Sequence, residues 1–201
     1  MKPSARGSET RETSPFRYPL LYILYIWTLR DVADRRVDPA MRTVAARVLA
    51  FLLREQPFTE RVATDVLTAL HKSLDMSKVV RTLLVGLRDS ACDPPKVAEW
   101  TRNTADRAIR EGHLASFVSA MRILIGLRDY DGTVPTRWRL SILRALDIPD
   151  LTPSVFLFAR DYNRRFPQES WRWIRIVGVA RIVALLRRRA TASDFQGEGA
   201  K

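Results

Sequence analysis

The sequence has few of the residues on which most catalytic and metal sites are built. It contains one cysteine, Cys92, so no intramolecular disulfide can form, and this is typical of a reducing compartment. Its two histidines, His71 and His113, lie in separate helical segments and do not have metal-ligand spacing. The eight glycines are scattered, which excludes a glycine-rich phosphate loop, and no nucleophile-elbow motif is present. We therefore expect a protein that is not an enzyme and that has neither a metal nor a cofactor.

The sequence also lacks a hydrophobic run long enough to cross a bilayer. The most apolar segment, residues 20–29, has ten residues, whereas a transmembrane helix needs about 20. An Arg-Asp pair follows the segment in place of the small residues of a signal-peptide cleavage site. We expect a buried helix or strand here, no transmembrane span and an intracellular protein, cytoplasmic or nuclear. A membrane-dipping segment is the alternative, because Tyr22, Tyr25 and Trp27 are residues that favour membrane interfaces.

Positive charge is what the sequence has in excess, and nearly all of it is arginine. The chain has 29 arginines against five lysines, and its net charge is +12 over 201 residues. Guanidinium groups bind phosphate and carboxylate in a bidentate fashion and stack on aromatic rings, which ammonium groups do poorly. The composition therefore predicts a polyanionic or acidic partner.

Helix start and stop signals recur from residue 39 onward and predict an all-α fold. Asp38-Pro39 is typical of a helix N-terminus, because a capping residue precedes a proline at the first helical position. The short connections favour antiparallel helix pairs, about nine helices in all, as a compact helical bundle or a short HEAT- or armadillo-like array. Including the apolar segment, the predicted helices span residues 20–29, 39–54, 59–74, 77–88, 94–109, 114–128, 136–146, 153–167 and 170–189.

One internal similarity favours an array. Residues 83–89 read LLVGLRD and residues 123–129 read ILIGLRD, an offset of 40 residues. Helix pairs in HEAT and armadillo proteins repeat at a spacing close to this. The alternative is that two unrelated helices have similar C-terminal ends.

Most of the net charge lies near the C-terminus of the predicted domain. We expect a disordered polar tail at residues 1–16, a single all-helical domain at 17–189 and a flexible tail at 190–201. Within the domain, residues 160–189 form a basic C-terminal region with nine arginines and two carboxylates, which is +7 of the total of +12. The simplest interpretation of the end of this region is a core helix with a basic last turn. Arginines are favourable there because the C-terminal end of a helix dipole is negative.

Two clusters place tryptophan between arginines, one on the predicted helix 136–146 and one in the basic C-terminal region. In such clusters arginine can contact phosphate or carboxylate while tryptophan stacks on a base. Alternatively, Trp138 lies in the core and its neighbours are solvated, since adjacent helix positions point about 100° apart. The candidate binding residues are Arg137, Trp138, Arg139, Arg164, Arg165, Trp171, Arg172, Arg175, Arg187, Arg188 and Arg189.

These features favour a non-catalytic basic protein that binds an anionic macromolecule, with RNA as the favoured polyanion. Two alternatives stay open. One is a protein-interaction scaffold whose arginines meet an acidic partner protein. The other is a peripheral membrane protein of the small, basic, helical type found among viral matrix and accessory proteins, which binds host proteins or an anionic membrane surface. The sequence leaves the oligomeric state open.

Overall fold

The structure is a computed structural model that describes residues 18–55, 59–90 and 94–168. These ranges contain eight helices and no strand, which confirms the all-α fold. The ninth predicted helix, residues 170–189, and the two predicted tails lie outside the described residues. The helices are α1 (Pro19–Ala33), α2 (Pro39–Glu55), α3 (Glu60–Lys72), α4 (Ser77–Asp89), α5 (Pro94–Arg110), α6 (Leu114–Leu124), α7 (Thr136–Leu146) and α8 (Thr152–Arg165).

The helices pack as consecutive pairs that form two rows. Helix α1 packs on α2, α3 on α4, α5 on α6 and α7 on α8. In one row α2, α4, α6 and α8 contact each other in turn, and in the other row α1, α3, α5 and α7 do the same. Between the rows lies one apolar core whose largest fully buried side chains include Tyr25, Phe117, Trp138 and Tyr162. Burial of such side chains contributes about 1.5–3 kcal/mol each.

Helix α6 ends four residues earlier than its apolar pattern predicted. The chain turns at Ile125, whose N–H donates to the Met121 carbonyl, and Gly126 then bonds back to the carbonyl of Ile123. Ile125 and Leu127 are nevertheless buried in the core. The apolar pattern therefore continues through a turn, which periodicity alone does not distinguish from a helix.

The two similar segments end their helices in different surroundings. In residues 83–89 the glycine, Gly86, is buried within α4 and lies against Ala50 of α2. In residues 123–129 the glycine, Gly126, follows the end of α6 and is exposed. Both segments lie at the ends of second helices of consecutive pairs, α4 and α6, so the interpretation of the similarity as a repeat stays a prediction.

Candidate polyanion-binding groove

Helices α2 and α4 lie side by side and leave a groove along their exposed edge. A Cβ atom at Gly86 would lie only 2.8 Å from the Cβ of Ala50, so the helices approach closely there. Further along, Arg54 Nη2 lies 2.5 Å from Asp89 Oδ2. From Ala50 to Arg54 the chain runs toward the C-terminus of α2, and from their partners Gly86 to Asp89 it runs toward the C-terminus of α4. The two helices are therefore parallel. The groove encloses about 520 Å³ and is lined by Thr43, Arg47, Ala50, Phe51, Arg54, Lys78, Arg81, Thr82 and Val85.

Among the described residues that line the groove, four are cations and none is an acid. Asp89, at one end of the groove, pairs with Arg54 and also accepts a hydrogen bond of 2.8 Å from Arg88 Nε. Within the described part of the chain, no acidic side chain forms an ion pair with the other three cations, Arg47, Lys78 and Arg81. Among the described residues, the positive charge of these three side chains is therefore not neutralised by an ion pair.

An aromatic ring lies among these cations. The side chain of Phe51 is 60% exposed. It follows Arg47 by four residues and precedes Arg54 by three, so the three side chains share one face of α2. An exposed ring beside a cationic track is the arrangement by which proteins hold single-stranded nucleic acid, with bases stacked on the ring and phosphates at the cations.

The neutral polar side chains in the groove are engaged by their own helices. Thr43 Oγ1 donates to the Pro39 carbonyl at 2.9 Å, and Thr82 Oγ1 donates to the Lys78 carbonyl at 2.8 Å. The groove therefore presents guanidinium and ammonium donors to a ligand. Its described lining includes no histidine, cysteine or carboxylate, the side chains that most often act as a general base or bind a metal.

The predicted cluster on α7 is largely used within the fold. Trp138 is 2% exposed, lies edge-on to Phe117 with ring centroids 5.9 Å apart, and donates from Nε1 to Asp106 at 2.5 Å. Arg137 pairs with the same carboxylate at 2.6 Å, and Arg139 Nε donates to the Val134 carbonyl at 3.2 Å. The predicted stacking role of Trp138 needs correction, because a buried indole has no face for a base. The burial of Trp138 agrees with the alternative interpretation, in which this residue lies in the core.

The two predicted arginines at the end of α8 differ in surroundings. Arg165 donates to the carbonyls of Ile125, Arg128 and Tyr130 at 2.5, 2.6 and 3.3 Å. It thereby holds the turn that follows α6, and its role is structural. Arg164 is exposed. The remaining candidates lie outside the described residues and stay predictions: Trp171, Arg172, Arg175, Arg187, Arg188 and Arg189.

A second depression, of about 750 Å³, shares Lys78 and Arg81 with the groove but has mixed charge. Asp75 and Asp150 also line it. Burial raises the pKa of Asp75, but its hydrogen bonds and ion pair with Arg42 outweigh this and hold the pKa below its ordinary value. A constantly charged carboxylate makes this depression less suited to anions than the groove.

His71 and His113 both lie in the described part of the chain. Among the described residues there is no group of three or more His, Cys, Asp or Glu side chains placed to hold a metal ion. His71 Nε2 is buried and has no hydrogen-bond partner among the described residues. Burial, and then the charges of Arg107 and Arg110, lower the pKa of His71 below its ordinary value. The histidine is thus kept neutral in the folded protein near neutral pH.

None of the groove residues is among the binding residues predicted from the sequence. Phe51 lies in the run LAFLLRE, which is typical of core, and its neighbours Leu52 and Leu53 are indeed buried. The signal that could have identified it is the spacing Arg47, Phe51, Arg54, which places one ring and two cations on a single helical face.

In comparisons with known proteins, no family model, curated protein or solved structure matches this chain. None of the described helices is both long and apolar enough to cross a membrane.

Proposed function

We propose that this protein is a non-catalytic binding protein for an anionic macromolecule, that RNA is the favoured ligand, and that the α2–α4 groove binds it. The observation that carries the proposal is the set of three cations, Arg47, Lys78 and Arg81, beside the exposed Phe51. Cations without acidic partners gain the full counterion-release contribution when they bind phosphates.

The groove is better suited to a single-stranded nucleic acid than to a duplex or a polyphosphate. Thr43 and Arg54 both line the groove and are eleven residues apart on α2, so the groove extends over about 16 Å. A ring in its wall stabilises an unstacked base by about 1–3 kcal/mol, which neither a duplex nor a polyphosphate can use. Arginine adds to this preference, because it stacks as well as pairs.

Charge reversal in the groove tests the proposal. Fluorescence anisotropy with a labelled 20-nucleotide single-stranded RNA compares the wild type, Arg47→Glu/Arg81→Glu and the control Arg110→Glu/Arg144→Glu. The control pair has the same charge change on α5 and α7, where both side chains are exposed. We expect the groove variant to lose at least tenfold in affinity at about 0.1 M salt, and the control to lose about threefold or less. Equal losses would show that binding depends on net charge and not on the groove.

A further inference from the structure

The solvent-facing side of α1 is apolar along most of its length. The buried side of this helix, with Tyr25, Thr28 and Val32, packs on α2 and α3. The opposite side would be polar in an ordinary surface helix. Here it exposes 79% of Leu20 and 65% of Trp27. Together the exposed apolar residues of this side, called the α1 face below, are Leu20, Ile23, Leu24, Ile26 and Trp27.

The α1 face has the pattern and the size of an interface core. Leu20, Ile23, Leu24 and Trp27 follow the spacing i, i+3, i+4, i+7, which places them in one stripe along the helix. The exposed apolar area is on the order of 500 Å², at the upper end of what monomeric proteins leave uncovered. A standard protein interface buries about 800 Å² on each partner, so the α1 face supplies most of one.

The charge around α1 indicates what covers it. Residues 18–38 contain three arginines and three aspartates and have no net charge, although the whole chain has +12. A neutral surface gives an anionic membrane or a polyanion no electrostatic attraction. It does allow two copies of a strongly basic chain to approach each other without the repulsion that their other surfaces would impose.

We propose that the α1 face is a self-association surface and that its occupant is a second copy of this chain. In a dimer with two-fold symmetry the same surface serves both copies. A two-fold axis between Ile23 and Leu24 places the α1 helices antiparallel, with Leu20 against the partner's Trp27. Arg30 lies beyond the stripe, at the polar rim of the interface. This proposal does not depend on the function of the groove.

The test is the molar mass of the full chain in solution, measured by light scattering and sedimentation from about 1 to 100 μM. We expect the wild type to be dimeric at the upper end of this range, and Ile23→Glu/Trp27→Glu to be monomeric throughout. Leu140→Glu is the matched control, because Leu140 is exposed on α7 and lies outside the α1 face. It should remain dimeric, as should the groove variant Arg47→Glu/Arg81→Glu.

Two further measurements make the outcome decisive. Circular dichroism checks that each variant is folded, and Trp27→Ser is the milder replacement if the double variant is not. Flotation with phosphatidylcholine/phosphatidylserine vesicles tests a lipid occupant. A monomeric wild type, a double variant that is still dimeric, or vesicle binding lost only in the α1 variants would each overturn the proposal.

Discussion

Gly86 of α4 lies so close to Ala50 of α2 that a Cβ atom on the glycine would be 2.8 Å from the Ala50 Cβ and 2.9 Å from its Cα. Backbone atoms cannot move aside as a flexible side chain does. We expect Gly86→Ala to push the helices apart and to destabilise the protein by about 1–3 kcal/mol, because overpacking outweighs the higher helix propensity of alanine. Chemical denaturation measures the free energy of unfolding.

Two further variants test this explanation. Ala50→Gly combined with Gly86→Ala removes one of the two clashing atoms and should recover part of the lost stability. Gly126→Ala is the control, because a Cβ there meets only one carbonyl, at 3.3 Å, and should change stability by about 0.5 kcal/mol or less. If Gly86→Ala is as stable as the wild type, the helices do not approach as described.

The exposed ring of Phe51 gives a prediction about ligand type. Phe51→Ala should weaken binding of single-stranded RNA about 5- to 150-fold, the range expected for the loss of one base stack. Binding of a duplex of equal length should hardly change, because its bases are already stacked. Because the side chain is exposed, the melting temperature should stay close to that of the wild type. Equal losses for both RNAs would contradict a stacking role.

Replacement of the adjacent arginines Arg164 and Arg165 on α8 should affect the stability of the protein differently. Arg165→Ala removes donors from three backbone carbonyls and should destabilise the protein by about 1–3 kcal/mol. Arg164→Ala should change stability by less than about 0.5 kcal/mol, since its side chain is exposed. Thermal and denaturant unfolding distinguish the two. Similar stabilities of both variants would show that Arg165 does not hold the turn after α6.

His71 should make stability depend on pH. Its pKa is lowered in the folded protein, so above its ordinary value of 6.5 the imidazole is neutral in both states. As pH falls below that value, the unfolded state takes up a proton first, and the free energy of unfolding decreases until the folded pKa is reached. His71→Gln should therefore lose less stability than the wild type between pH 7.5 and pH 5. If His71→Gln and the wild type lose the same amount of stability between pH 7.5 and pH 5, His71 is not the cause of the pH dependence.

Local chemistry explains which helices the sequence predicted well. The helix that opens at Pro39 begins where predicted because Asp38 caps it, with the N–H of Ala40 donating to Asp38 Oδ1 at 2.8 Å. The helices that open at Ser77 and Thr136 also begin where predicted, although their N-caps, Met76 and Pro135, form no side-chain cap hydrogen bond. The end of α6 was missed because Arg165, 40 residues away from Ile125, holds a buried turn there. No local pattern encodes such a partner.

The candidate site was less predictable than the fold. Trp138 and Arg137 have the residue types of a nucleic-acid site, but Asp106 on α5 engages both, and this pairing depends on tertiary packing. The groove joins α2 to α4 and skips α3, so Arg47 and Arg81 become neighbours only once the rows form. The spacing of Arg47, Phe51 and Arg54 within α2 was the one local sequence pattern that indicated the groove.

The most direct test of the central claim is the salt dependence of RNA affinity. The logarithm of the binding constant for single-stranded RNA is measured against the logarithm of salt concentration, for the wild type and for Arg47→Gln/Arg81→Gln. Each phosphate contact contributes about −0.7 to the slope for single strands, so we expect the variant's slope to be shallower by about 1.4. An identical slope, or no binding by the wild type at low salt, would contradict the assignment of the α2–α4 groove as an RNA-binding site.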